Sequence, residues 1–370
     1  VLKVAVAAVG ALVVLAGPAA AAPPSGYDGQ IQQSRGTGSD TTYFVSTKLA
    51  DLYNSSPGCS LSSAAGFERQ KCATTDPAGT ILTENYDHDE IVNGFPTGSG
   101  GGIGQLCTAP PTGFLPVDFA RSSRDPQGSD CTGLSFKGYA KDGLIPLAFP
   151  NVAASGTQGS PAAGCKPGEA AGSCTGTPLT TLTKTQLQDI FVNCSVTNWS
   201  QLVTGTSAPI EKFGVQTSSG TYLAWSNFLG GDPNSCVSGN HILFENNAQQ
   251  IAAFGTAVQA NALHWMSFGR YTSTPFTRAN GTKLAINGIG AVPATISSGS
   301  FPATRFLYTV YKTASASQAT LGFSDWVCDN VDGNHAADPE TGKNFNQEAT
   351  AAVNNIGGFV RPATCTTSTT

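Results

Sequence analysis

The stretch Gly38-Ser39-Asp40-Thr41-Thr42 runs straight into Tyr43-Phe44-Val45, where apolar residues begin to recur at helical spacing. Two later clusters share its character: Gly98-Ser99-Gly100-Gly101-Gly102 and Ser218-Ser219-Gly220-Thr221, the second followed by Tyr222, Trp225, Phe228 and Leu229. A helix start leaves about four backbone N–H groups without internal partners, at the positive end of the aligned peptide dipoles. Glycines let an anion approach those groups, and the hydroxyls add O–H donors. Three such starts in one chain predict loops that gather around a small oxyanion.

Working outward from the clusters, strands and helices alternate. Val45, Leu49, Leu52 and Tyr53 predict a helix capped by Thr41 or Thr42 and ended by Asn54-Ser55-Ser56-Pro57-Gly58. Thr183 with Gln186 forms a capping-box pattern ahead of Leu187, Ile190 and Phe191, and Gly230-Gly231 stops the helix begun at the third cluster. Strands are expected at 90–95, 117–120, 144–149, 210–216, 289–292 and 306–311, and a further helix over 249–260. Residues 59–84 read as a disulfide-tied loop region and 151–178 as a long Gly/Ala/Ser/Pro-rich insertion. Residues 324–328 open the last ordered region, and 366–370 read as a polar tail. The alternation predicts an α/β fold.

The chain has 370 residues, enough for two domains, with 40% hydrophobic residues to build cores. Only 12% are charged and the net charge is −5, so no basic stripe is present for nucleic acid and no polybasic patch for a membrane. Residues 1–22 read as a cleaved secretory signal: Lys3, then an apolar run from Val4 to Ala16, then small residues Ala19-Ala20-Ala21-Ala22. No cysteine stands near that site to carry a lipid. Ten cysteines without a CxxC pair favour disulfides in an exported protein. Pairing of neighbours is expected, as Cys59–Cys72, Cys107–Cys131, Cys165–Cys174, Cys194–Cys236 and Cys328–Cys365.

With the clusters in order, the chain resembles phosphate-binding proteins of ABC transporters, which have the type 2 periplasmic-binding-protein fold. The resemblance rests on Gly38-Ser39-Asp40-Thr41-Thr42-Tyr43, Gly98-Ser99-Gly100-Gly101, Val117-Asp118-Phe119-Ala120-Arg121-Ser122-Ser123, Leu187-Gln188-Asp189-Ile190-Phe191 with Asn198-Trp199, Ser219-Gly220-Thr221, and Phe301-Pro302-Ala303-Thr304-Arg305-Phe306-Leu307-Tyr308. It implies two lobes, residues 23–143 with 291–370 and residues 144–290, with the ligand cleft between them. It further implies ligand contacts from Ser39, Asp40, Thr41, Thr42 and the backbone N–H of Tyr43; from Ser99, Gly100 and Gly101; from Arg121 and Ser122; and from Ser219, Gly220 and Thr221.

Two positions depart from the family pattern. Val215 stands where the family has an arginine, and Ser123 where it has an aspartate that accepts the proton of hydrogen phosphate and so rejects sulfate. Arg121 or Arg124 is the candidate replacement cation, and Asp40 or Asp125 the candidate acceptor. The function implied is a secreted, monomeric receptor that captures inorganic phosphate, or a related oxyanion, for an ABC-transporter permease. No cofactor, metal or nucleic acid is expected. A secreted phosphomonoesterase on the same fold is the alternative, although Gly-x-Ser-x-Gly and Gly-x-x-x-x-Gly-Lys-Ser/Thr patterns are absent. Asp87-His88-Asp89-Glu90 has metal-capable side chains but reads as a solvated turn, because no second cluster completes a ligand set.

Overall fold

The computed structural model describes residues 32–370 except 57–58, 63–68, 73–83, 86–88, 111, 114, 150–158, 167–168, 171, 246, 330–334, 336 and 339. The expected signal segment, His88 and much of the expected 59–84 and 151–178 loops lie outside the described residues. In chain order the strands are β1 Gln33–Gly38, β2 Cys59–Ser62, β3 Arg69–Cys72, β4 Glu90–Pro96, β5 Phe119–Ser122, β6 Leu134–Ala148, β7 Thr181–Leu182, β8 Glu211–Lys212, β9 Gly214–Val215, β10 Ile242–Leu243, β11 Ala262–Ser267, β12 Thr282–Lys283, β13 Ala285–Ile286, β14 Thr304–Lys312 and β15 Thr366–Thr369. The helices are α1 Tyr43–Ser55, α2 Gly98–Cys107, α3 Lys184–Phe191, α4 Gly220–Leu229, α5 Thr256–Ala260, α6 Phe268–Ser273, α7 Pro275–Asn280, α8 Pro293–Ser298, α9 Gln318–Cys328 and α10 Phe345–Ala351.

One mixed sheet runs β4-β1-β5-β14-β6-β11-β8, with β12 and β15 also on β6. Its axis is β6, buried along nearly its whole length. Residues 134–143 of β6 pair antiparallel with β14, and from Leu144 onward the partner is β11. The cores divide at the same place. Leu144, Ile145 and Leu147 join Leu187, Phe191, Trp199, Trp225, Trp265 and Phe301 in one cluster. Ahead of that point, α1, α9 and α10 cover one face of the sheet through Leu49, Tyr53, Phe323, Trp326 and Phe345. On the other face α2 packs Ile103 and Leu106 on Ala120, Phe136 and Val310. Burying each such aliphatic or aromatic side chain contributes about 1.5–3 kcal/mol, and the α/β layering follows from it.

Local sequence sets several boundaries. Thr183 caps α3 in a reciprocal box with Gln186, and Gly230 ends α4 in the left-handed region at φ 77°. Four disulfides join the neighbours expected from the sequence: Cys107–Cys131, Cys165–Cys174, Cys194–Cys236 and Cys328–Cys365. The backbone register of β2 and β3 sets Cys59 opposite Cys72, but their side chains lie outside the description.

Elsewhere the expectations need correction. The strand expected at 144–149 begins ten residues earlier at Leu134, because Lys137, Lys141 and Asp142 and two glycines break up its apolar run. The strand expected at 210–216 is two short pieces, β8 on β11 and β9 on β10. No strand forms at 289–292. Asn287 and Gly288, at φ 51° and 78°, turn the chain so that Ile289 bridges back to Ile286, and Pro293 then opens α8. The helix expected over 249–260 breaks at Phe254-Gly255 into a 3-10 turn and α5. Residues 366–369, read as a tail, pair with Ser135–Gly138 as β15; threonine suits a strand, and Cys328–Cys365 holds it in place.

Candidate functional site

The three clusters meet. Gly38 ends β1 at φ 123°, and a Cβ there would stand 2.3 Å from the Arg121 carbonyl oxygen, so only glycine fits. Ser39 N donates to that same carbonyl at 3.0 Å. The chain then turns into α1, with Ser39 Oγ accepting from Thr41 N at 3.2 Å. Beside it, Thr97 N donates to Gly38 O at 2.9 Å, and α2 begins at Gly98. A Cβ on Gly102 would lie 2.6 Å from Gly38 Cα, which sets the close approach of α2 to β1.

The third cluster comes from the other core. Ser219 caps α4 by accepting from Thr221 N at 3.0 Å and Tyr222 N at 3.1 Å. Gly220 faces Ser99 and Ser123 so closely that a Cβ would lie 2.2 and 2.5 Å from their Oγ atoms. Gly100 N donates to Ser218 O at 3.4 Å. The N-termini of α1, α2 and α4 therefore open on one small region.

Hydroxyls line it. Thr41 Oγ1 lies 3.2 Å from Thr221 Oγ1, and Ser99 Oγ lies 3.2 Å from Ser123 Oγ. Ser123 N donates to Ser99 Oγ at 3.0 Å. Thr41, Thr221 and Ser123 all donate to one carboxylate oxygen, Oε1 of Glu245, the Thr221 bond being 2.8 Å and the Ser123 bond 3.4 Å. Arg305 closes the arrangement. Its Nη1 donates to Thr221 Oγ1 at 2.9 Å and to Ser123 O at 2.8 Å, while Nε and Nη2 hold Asp142 at 3.1 and 2.8 Å. Asp142 also accepts from Gly269 N at 3.1 Å. Ser39, Thr42, Ser99, Ser219 and Thr221 are completely buried.

Charge is crowded here. Burial, and after it the charge of Glu245, pushes the Asp40 carboxyl up to about 6, and Asp40 Oδ2 is enclosed without a hydrogen bond. Burial brings the Arg121 guanidinium down to about 10. Arg121 lies over the Tyr43 ring at 5.3 Å and donates to Asn93 Oδ1, to Gly94 O at 3.1 Å and to Ser39 O at 3.4 Å. Arg270, its acidity also raised by burial, sits 5.0 Å from the Phe44 ring centroid.

Residues 82–331 match a family model described as a PBP superfamily domain. The chain belongs to the PBP superfamily. No curated protein sequence matches it. Among solved structures, an ABC-type phosphate transport receptor from Vibrio cholerae is similar at a TM-score of 0.54 and 16% identity, over 89% of this chain and 100% of that one. A protein from Clostridium perfringens with bound phosphate is similar at 0.55 and 17%, over 89% and 99%. At these identities the likeness is one of fold.

In this PBP superfamily member the structure brings Ser39, Asp40, Thr41, Thr42, Ser99, Gly100, Ser219, Gly220 and Thr221 to the shared region. The Tyr43 N–H points back to Asp40 O at 3.3 Å, and Gly101 faces Thr97. Arg121 lies beneath the first loop with its N–H groups on backbone and Asn93, while Ser122 Oγ donates to Arg124 O at 2.8 Å within its own turn. Arg124 is bound to Asp130 at 2.6 and 2.8 Å, and Asp125 accepts from Tyr308. Both stand apart from the hydroxyls.

The sequence reading missed Glu245, Arg305, Asp142 and the hydroxyl of Ser123 as members of this group. Ser123 and Arg305 lay inside the quoted stretches; Glu245 carried no signal beyond a carboxylate after a short apolar run. In the Asp87–Glu90 run, Asp87 and His88 lie outside the described residues, while Asp89 is buried rather than solvated and accepts from Gln32 N, and Glu90 opens β4 and accepts from Gln33 on the paired strand β1. Among the described residues no cluster of His, Cys, Asp and Glu could hold a metal, and no helix is long and apolar enough to cross a membrane.

Proposed function

We propose that this chain is a secreted solute-binding protein that captures inorganic phosphate in the cleft between two lobes and delivers it to an ABC-transporter permease. The observation that carries the reading is the convergence of three helix N-termini and the hydroxyls of Thr41, Ser99, Ser123 and Thr221, drawn from both cores, on one enclosed point. Neutral donors fixed by folding replace the water an anion sheds, and they require no metal. Both similar structures support the choice of ion: one is a phosphate transport receptor and the other holds phosphate. The hydrolase alternative draws no support from them.

In this reading the lobes are the two cores. The chain crosses between them within β6 at Gly143–Leu144 and returns before β14, and closure around the ligand joins Ser99 and Ser123 to Thr221. Ser39, Asp40, Thr41, Thr42, Ser99, Gly100, Gly101, Ser219, Gly220 and Thr221 form the binding loops, with Arg121 and Ser122 supporting them. Four disulfides suit an oxidising, extracytoplasmic location. A monomer suffices, because every loop of the site comes from one chain.

Calorimetric titration with phosphate tests the reading. Saturable one-to-one binding is expected, and at 100 times the dissociation constant phosphate should stabilise the fold by about 2.7 kcal/mol. No heat and no stabilisation would refute it.

A further inference from the structure

Glu245 follows β10, which pairs in parallel with β9 and belongs with it to the second core. Its carboxylate nevertheless accepts from Thr41 and Ser123 of the first core, as well as from Thr221 of its own. It is only 4% exposed, among the loops that open α1 and α4. A carboxylate in such a place takes the position of the oxyanion that helix starts attract.

Each hydroxyl has one hydrogen to give. Thr221 Oγ1 accepts from Arg305 and gives its hydrogen to Glu245. Ser123 gives its own to the same carboxylate oxygen, and Ser99, which accepts from Ser123 N, gives its hydrogen to Ser123 Oγ. Thr41 also donates to Glu245. The hydroxyls that would clasp an entering ion are thus committed to the chain's own carboxylate, and bonds to an ionised acceptor are the stronger kind. An ion can take them only when the carboxylate leaves.

A place for it to go lies nearby. Arg270 of α6 and Glu245 attract each other, and Arg270 Nε is enclosed without a hydrogen bond. Asp40, in the first loop, repels the carboxylate. Phe244, the residue before Glu245, is exposed, so the turn that carries the carboxylate reaches the surface.

We propose, on the reading that the cleft takes phosphate, that Glu245 is an internal anion that plugs the cleft: its carboxylate holds Thr41, Ser123 and Thr221 until phosphate takes them and the carboxylate turns to Arg270. The plug joins the two cores by itself. It lowers the apparent affinity in proportion to the fraction of molecules in which it is released. Phosphate and sulfate meet the same obstacle.

The test is calorimetric titration of the mature chain with sodium phosphate and with sodium sulfate at pH 7.5, joined to small-angle X-ray scattering before and after phosphate. The wild type, Glu245→Ala, Glu245→Gln, Arg270→Gln and the double variant Glu245→Ala/Arg270→Gln are compared, with thermal melts to verify folding. Glu245→Ala should tighten phosphate at least tenfold and Glu245→Gln at least threefold, with any sulfate binding tightened by a similar factor. Before phosphate, Glu245→Ala should scatter as a more expanded molecule than the wild type, and after it as an equal one. Arg270→Gln should weaken phosphate at least threefold in the wild type and leave Glu245→Ala unchanged. A folded Glu245 variant that binds phosphate no better than the wild type, or gains sulfate alone, would overturn the inference by itself. So would equal losses from Arg270→Gln in both backgrounds. If neither the wild type nor any variant binds phosphate, the phosphate reading falls and this inference with it.

Discussion

Arg305 and Asp142 stand directly opposite each other on the antiparallel strands β14 and β6, joined at 2.8 Å with both side chains almost wholly buried. The remaining face of the guanidinium reaches Thr221, at the start of α4 in the other core. The ion pair therefore aims a hydroxyl across the boundary between cores. Removing one partner of a buried pair leaves an uncompensated charge and typically costs about 3–5 kcal/mol. Arg305→Ala is expected to lose that much stability in urea unfolding. Arg305→Lys should recover part of it but lose ligand affinity, since an ammonium lacks the fork that holds Asp142 and Thr221 together. A loss under about 1 kcal/mol in Arg305→Ala would contradict burial of the pair.

Gly220 is where α4 touches the serines of the first core. An alanine methyl would lie 2.2 Å from Ser99 Oγ, and neither serine can retreat, because Ser99 is tied to Ser123 N and Ser123 to Glu245. Overpacking of this kind costs about 1–3 kcal/mol. Its effect falls on the joined form of the two cores, so Gly220→Ala should weaken phosphate binding at least tenfold. An unaltered dissociation constant by calorimetry would show that the loops do not close this tightly on the ligand.

The sequence disclosed the cluster-to-helix junctions because their signal is local. Ser219 caps α4, Thr183 and Gln186 cap α3, and the cysteines pair with near neighbours. What escaped was set by pairing between distant segments. Leu134–Gly143 looks too polar for a central strand until Asp142 is seen opposite Arg305, 163 residues away. Glu245 is an unremarked acid until β10 lies on β9 and carries it to Thr41, 204 residues away. Arg124 and Asp125 sat at plausible positions in the sequence, yet their turn points them to Asp130 and Tyr308. Spacing along a chain shows which helix starts exist, but the partner that each side chain meets depends on the sheet order.

Asp40 gives the fold a pH dependence of unusual sign. Its carboxyl is pushed up to about 6 by burial and by Glu245, whereas an unfolded aspartate titrates near 3.9. Between roughly pH 4 and pH 6 the folded chain keeps a proton that the unfolded chain has released. The contribution is full below about pH 4 and is lost as pH rises to about 6. Asp40 is only part-buried, so solvent screening limits the loss to about 1–2 kcal/mol. Asp40→Asn should match the wild type near pH 4 and exceed it by that amount at pH 7.5. Denaturant midpoints measured across the range decide it; parallel curves would exclude the effect.

His264 on β11 acts in the opposite direction. It is entirely enclosed, with Nδ1 3.1 Å from Phe213 O and Nε2 without a partner, and burial holds its pKa down to about 4. An unfolded histidine titrates near 6.5. Its contribution is therefore complete above about pH 6.5 and is lost as pH falls toward 4, by up to about 3 kcal/mol. Between pH 4 and 6 the two residues oppose each other, so the wild-type profile should be flatter there than that of Asp40→Asn. His264→Gln should expose the Asp40 slope, with stability falling as pH rises from 4 to 6. If His264→Gln instead keeps the wild-type acid limb, the imidazole is not what sets it, and water must reach Nε2 in the folded protein.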